Sequence, residues 1–134
     1  MSEFNNWNVS YGLIKSFENA LEGHRKIEKF KRVQDIVFHI TLWDYSEIKV
    51  LLLDKYTLGI AAVLDVLKEF HDIDHIVTGA NWNGYTKEAK QYGWDNDIGI
   101  FVMGEFLGAL NWQNPIKYHK KDRDGNPVYQ YCAA

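Results

Sequence analysis

Carboxylates and lysines that lie close together in the chain are the first residues that could do chemistry, and Asp54 is followed directly by Lys55. Carboxylates gathered at close range hold a hard divalent cation, which takes oxygen ligands, and such a cation can neutralise charge developing on a phosphodiester. Two strings have an acid near a lysine, Glu47-Ile48-Lys49 and Leu53-Asp54-Lys55. A basic run, His24 to Arg32, carries Arg25, Lys26, Lys29, Lys31 and Arg32 around Phe30, a pattern that suits phosphate contact with an aromatic for stacking, or a solvated face. Thr78-Gly79-Ala80-Asn81-Trp82-Asn83-Gly84-Tyr85 mixes glycines, amides and aromatics, as loops that hold a base or a partner do, or as a turn pinned on the core does. His71 and His75 flank Asp72 and Asp74 across a turn and read as surface histidines, whereas His39 reads as a packing histidine within a strand.

The elements that position these groups follow from periodicity. Leu13, Ile14, Phe17, Ala20 and Leu21 recur at spacings of three and four, predicting an amphipathic helix from Tyr11 to about Lys31, with Gly23 as its weak point. DIVFHITLW and EIKVLLL flank the turn residues Asp44-Tyr45-Ser46 and predict a β-hairpin whose second arm is buried on both faces. TLGIAAVLDVLKEF predicts a helix, IDHIVT a strand, Thr86 an N-cap for a short helix closed by Gly93, and IGIFVM a further strand before EFLGALNW. Asp124-Gly125-Asn126-Pro127 predicts a turn between two short arms in the tail. The expected fold is α/β: an N-terminal helix, a hairpin, then β-α-β-α-β crossovers in a mixed sheet, with a short C-terminal hairpin appended. Residues 1–10 read as a polar arm, 11–112 as the domain and 113–134 as the extension.

This order, together with Tyr11-Gly12 and Phe17-Glu18, Asp35-Ile36-Val37, Val50 to Lys55, Gly59 to Val63, His75-Ile76-Val77-Thr78 with Tyr85 to Ala89, and Ile98-Gly99-Ile100, resembles the restriction-endonuclease-like (PD-(D/E)xK) fold in its Mrr-like branch. The resemblance implies a Mg²⁺ site on the hairpin, with a lysine that orients or activates the attacking water. Carried onto this chain, it makes Asp35 and Lys55 the catalytic pair. Asp35, Glu18 and Asp54 become the metal ligands.

Hairpin geometry separates the two candidates for the acid-x-Lys element, Glu47-Ile48-Lys49 with the right residues and Leu53-Asp54-Lys55 with the right place. With the turn centred near Asp44 to Ser46, cross-strand partners have numbers summing to about 89–90, so Asp35 faces residue 54 or 55. At ~3.3 Å per residue, Glu47 lies roughly 25 Å along the sheet from Asp35, too far to share a metal. Lys55 falls where the resemblance asks, but Leu53 occupies the position of the second acid, and alternation points Asp54 to the other face unless a bulge turns it.

Composition bounds the rest. The chain has 134 residues, 18 acidic against 15 basic for a net charge of −3, and 46% hydrophobic residues. That suits a single domain and argues against indiscriminate nucleic-acid binding, though not against a local basic patch. One cysteine, Cys132, gives no disulfide framework or cysteine-based zinc site, and no stretch reads as a signal peptide or membrane span; a cytoplasmic domain without membrane contact is expected. Three functions fit: a nuclease-like domain with a degenerate metal site that binds nucleic acid or a protein partner; an active Mg²⁺-dependent endonuclease; and a protein that self-associates as a homodimer through exposed aromatics such as Trp82, Trp94 and Trp112. Lys117, Lys120, Lys121 and Arg123 offer a second basic patch.

Overall fold

The computed structural model describes residues 7–79, 83–112 and 115–131. Helix α1 spans Tyr11–Glu22 and starts where the Ser10 hydroxyl accepts the Leu13 amide at 3.1 Å. Its apolar stripe buries Ile14, Phe17 and Leu21. The helix ends a full strand earlier than its periodicity predicts. His24 pins the turn that follows, its Nε2 bonding the Leu107 carbonyl at 2.8 Å while Nδ1 accepts the Lys26 amide at 3.1 Å.

The basic run is a strand. Ile27–Gln34 forms β1, antiparallel to β2 (Val37–Leu42), which is antiparallel to β3 (Glu47–Leu53). After the short β4 (Thr57–Leu58), α2 (Ile60–Glu69) crosses to β5 (His75–Thr78), which lies parallel to β3. Beyond β6 (Gly84–Tyr85), α3 (Lys87–Asp95) runs through Gly93 and leads to β7 (Gly99–Phe101), parallel to β5. α4 (Met103–Ala109), one turn of 3₁₀ helix and a small hairpin of β8 (Lys120–Lys121) and β9 (Pro127–Val128) complete the chain. The main sheet has five strands in the order β1-β2-β3-β5-β7, and β4 pairs with β6 beside it. The protein is therefore mixed α/β with a mixed sheet, as expected, and with one strand more at its edge.

Strand alternation sets what each face meets. Phe38, Val50 and His75 lie in one cross-sheet row, and Phe17 of α1 packs on Phe38 with ring centroids 5.0 Å apart. Phe106 of α4 packs against Phe17, His75 and Phe101, so α1 and α4 cover this face. On the opposite face Leu51, Leu53, Ile76 and Ile100 are fully or almost fully buried, on the side where α2 and α3 pack together. Val63 and Val66 are the buried residues of α2, whereas Ile60 and Leu64 are exposed. No helix among the described residues is long and apolar enough to cross a membrane.

Candidate functional site

Because β2 runs against β3 while β3, β5 and β7 run together, the start of β2 and the ends of those three strands share one edge of the sheet. Asp35 sits there in the β1–β2 turn with a left-handed φ of 53°, a conformation that aspartate tolerates better than most residues. Asp54 and Lys55 follow β3, and Thr78 and Gly79 end β5. The Thr78 hydroxyl accepts the Lys55 amide at 2.9 Å and donates to the Lys55 carbonyl at 2.7 Å, fixing the chain as it leaves β3. Asn83, itself buried, donates from Nδ2 to Asp54 Oδ1 at 2.8 Å.

Gly79 is the point on which this edge converges. Its φ is +31°, and a Cβ there would lie 2.6 Å from Asn83 Nδ2, 2.8 Å from Asp54 Oδ1 and 3.4 Å from Leu13 Cδ2. The first turn of α1, the Asp54 carboxylate and the Asn83 amide thus close around a residue that must lack a side chain.

The hairpin register differs from its expected value. Val37 faces Leu51 and Thr41 faces Glu47, because the turn is centred on Asp44. Leu42 N bonds Ser46 O at 2.8 Å, Tyr45 takes a left-handed φ of 67°, and Asp44 Oδ1 accepts from the Ser46 amide and hydroxyl. Strand pairing therefore continues to Leu52 N on Ile36 O, and Asp35 turns away beside Leu53 rather than facing Lys55. Glu47 is at the other end of the hairpin, as expected.

Leu53 is fully buried, Asp54 already accepts a hydrogen bond, and Glu18 is a half-exposed residue further along α1 than Leu13. Among the described residues no three His, Cys, Asp or Glu side chains gather as cation ligands would. The donor set at this edge does not fit Mg²⁺, which asks for near-octahedral oxygen ligation.

Of the basic run, Lys29 and Lys31 share one face of β1. Arg25, Lys29, Lys31 and Arg32 are exposed, and Lys26 lies with its ammonium 4.8 Å from the centroid of the Trp43 ring. Lys31 pairs with His39 and His39 with Lys49, forming a row across three strands on the face opposite α1, with Lys29 beside it. His39 is thus exposed rather than packed. The Lys49 ammonium also donates to the His71 carbonyl at 3.0 Å. Of the loop residues, Thr78, Asn83 and Tyr85 are buried with intramolecular partners, so none offers a surface for stacking. Asn81 and Trp82 lie outside the described residues, as does Cys132.

A buried polar cluster escaped sequence reasoning. Tyr85, fully buried, points its hydroxyl at Glu105, which also accepts the Val102 amide at 3.1 Å. Lys90, fully buried, donates to the Ile100 carbonyl, and its ammonium lies 4.2 Å from the Phe101 ring centroid and 4.8 Å from that of Tyr85. Burial lowers the Lys90 ammonium to about 8, with the Glu105 charge opposing. His75, expected on the surface, is buried beneath Phe101 and Phe106; burial and then the Lys90 charge lower it to about 4. The tail closes over the cluster: Gln130 N donates to the Tyr85 hydroxyl at 3.0 Å, and Tyr129 and Tyr131 pack ring on ring. In sequence Lys90 sits in KEAKQY like any solvated helical lysine, so only the fold reveals it. Compared with family models, with curated proteins and with solved structures, the chain matches none.

Proposed function

We propose that this is a restriction-endonuclease-like domain with a degenerate metal site, whose work is to bind nucleic acid. The architecture agrees with that resemblance in its helix, three-strand meander, crossover helix and parallel strand. Degeneracy rests on Leu53, buried where an acid would stand, and on Asp54, whose carboxylate is engaged by Asn83. The observation that carries binding is the Lys31–His39–Lys49 row, in register across β1, β2 and β3 and flanked by Lys29, in a chain whose net charge is −3. Cations held on a rigid sheet contact phosphates without reading sequence. Lysines on an edge strand also discourage pairing with other chains, and a binding measurement separates that role from this one.

The test is fluorescence anisotropy with labelled duplex and single-stranded oligonucleotides across a salt series. Lys29→Glu with Lys31→Glu should weaken binding at least about tenfold and flatten the salt dependence, since each phosphate contact contributes roughly −0.7 to −0.9 to the log–log slope. Unchanged affinity would end the proposal. Cleavage of supercoiled plasmid in Mg²⁺, Mn²⁺ or EDTA, beside Asp35→Ala and Lys55→Ala, tests the alternative of an active endonuclease. Metal-dependent cutting that both variants abolish would replace the binding reading with that one.

A further inference from the structure

Trp43 and Trp112 are 57% and 55% exposed, an unusual display for the largest apolar side chain. They come from distant parts of the chain, the end of β2 and the end of α4, and both line one groove of about 360 Å³ floored by Leu42, Ile48 and Leu110. Trp112 is also a wall of a second depression of about 270 Å³, which continues to Lys117, Tyr118, His119 and Lys121. Tyr118, part of that lining, packs so closely on Gly108 that a Cβ there would fall 2.9 Å from its Cζ. Cations stand at both ends, Lys26 over Trp43 and Lys117 and Lys121 beyond Trp112, while Asp44 is the one acid among the described lining residues.

We infer that the Trp43–Trp112 groove takes single-stranded nucleic acid, with unstacked bases against the two indoles and phosphates toward Lys26, Lys117 and Lys121. A single strand offers flat apolar faces and a polyanion together, and aromatic platforms between cations match both. A duplex keeps its base faces inside its own stack, so the indoles cannot be used by it. The Lys31–His39–Lys49 row lies on the opposite face of the sheet and serves phosphates of either form. The inference rests on the proposal that the domain binds nucleic acid, and adds which form it prefers and where.

The experiment is anisotropy of labelled oligo(dT) and of its duplex with oligo(dA), using the full chain and the variants Trp43→Ala, Trp112→Ala, Trp43→Phe and Trp112→Phe. Each alanine variant should weaken oligo(dT) binding roughly tenfold and leave duplex binding within about twofold, and each phenylalanine variant should recover most of the loss. Both indoles are more than half exposed, so the substitutions leave the core intact. Circular dichroism checks that directly. Duplex binding that responds to Lys29→Glu with Lys31→Glu, beside oligo(dT) binding indifferent to both tryptophans, would overturn this inference and spare the proposal it rests on. No binding of either form would overturn both. A dimer in sedimentation that Trp43→Ala or Trp112→Ala dissociates, with oligo(dT) affinity unchanged, would make the groove a self-contact and overturn the inference.

Discussion

Tyr85 places its single hydroxyl 2.7 Å and 2.9 Å from the two carboxylate oxygens of Glu105. The same oxygen accepts the Gln130 amide at 3.0 Å, so one group ties β6, the first turn of α4 and the tail. Burial and the neighbouring Glu105 charge keep the phenol protonated far above its ordinary range, so it remains a donor at every working pH. Tyr85→Phe keeps the ring and leaves a buried carboxylate with the Val102 amide in place of two donors. We expect a loss of about 1–3 kcal/mol in urea unfolding, with faster amide exchange at Gln130. A midpoint equal to that of the parent would show that the Glu105 carboxylate finds a replacement donor.

Lys90 makes stability rise with alkalinity. Its ammonium falls from an ordinary 10.5 to about 8 in the folded protein, because burial disfavours the charge. The unfolded chain therefore binds more protons between these values, and stability increases as pH rises through the window. Around it lie Glu105, whose charge favours the ammonium, and the rings of Tyr85 and Tyr129, whose hydroxyls are both shifted upward, so that their titration removes stability only toward and above pH 10. Between pH 8 and 9.5 the lysine dominates, contributing a gain of roughly 1.5 kcal/mol. Lys90→Met should remove that slope in urea titrations. A slope that persists in the variant would assign it to another group.

The elements with strong period were legible in the residues. The start of α1, the β2–β3 hairpin, α2, β5, the Thr86 cap and the tail turn appear where apolar spacing and turn chemistry put them, whereas α1 stops at Glu22 and leaves the rest of its expected span to β1. β1 was hidden because bulges at Ile27/Lys29 and Arg32/Gln34 break its alternation, and its exposed lysines resemble a solvated helix. The candidate site suffered from one dihedral. Tyr45 in the left-handed region centres the turn on Asp44, and that small change of register moves Lys55 away from Asp35. Lys90, Glu105 and His75 carry no local mark of burial, since what encloses them comes from other elements.

Gly99 and His75 are neighbours in adjacent parallel strands, and the imidazole occupies the space a Cβ at residue 99 would need. A Cβ there would also fall 2.6 Å from the Phe101 ring. Phe106 also packs against His75, with ring centroids 5.7 Å apart, which limits the room the imidazole has to move. Gly99→Ala should cost about 1–3 kcal/mol, the usual penalty of overpacking a filled core. The Gly99→Ala, His75→Ala double variant should recover much of the overlap penalty beyond the cost of His75→Ala alone, and strictly additive losses would contradict the steric account.

His75 sets an acid limit of its own. Its Nδ1 is buried without a hydrogen-bond partner among the described residues, and burial followed by the Lys90 charge lowers the imidazole from 6.5 to about 4. The folded state thus holds fewer protons than the unfolded state in that window, so the stability present above pH 6.5 is lost as pH falls toward 4. The rings of Phe101 and Phe106 and the Lys90 ammonium face it; the rings cannot stabilise a second cation in place of solvent, and the ammonium repels it. Between pH 7 and 4.5 the group should remove about 2 kcal/mol. His75→Leu, whatever its stability at neutral pH, should lose that much less over the same range. Imidazole carbon shifts followed by NMR give the direct readout, and a His75 ring that protonates near pH 6 in the folded protein would refute the assignment.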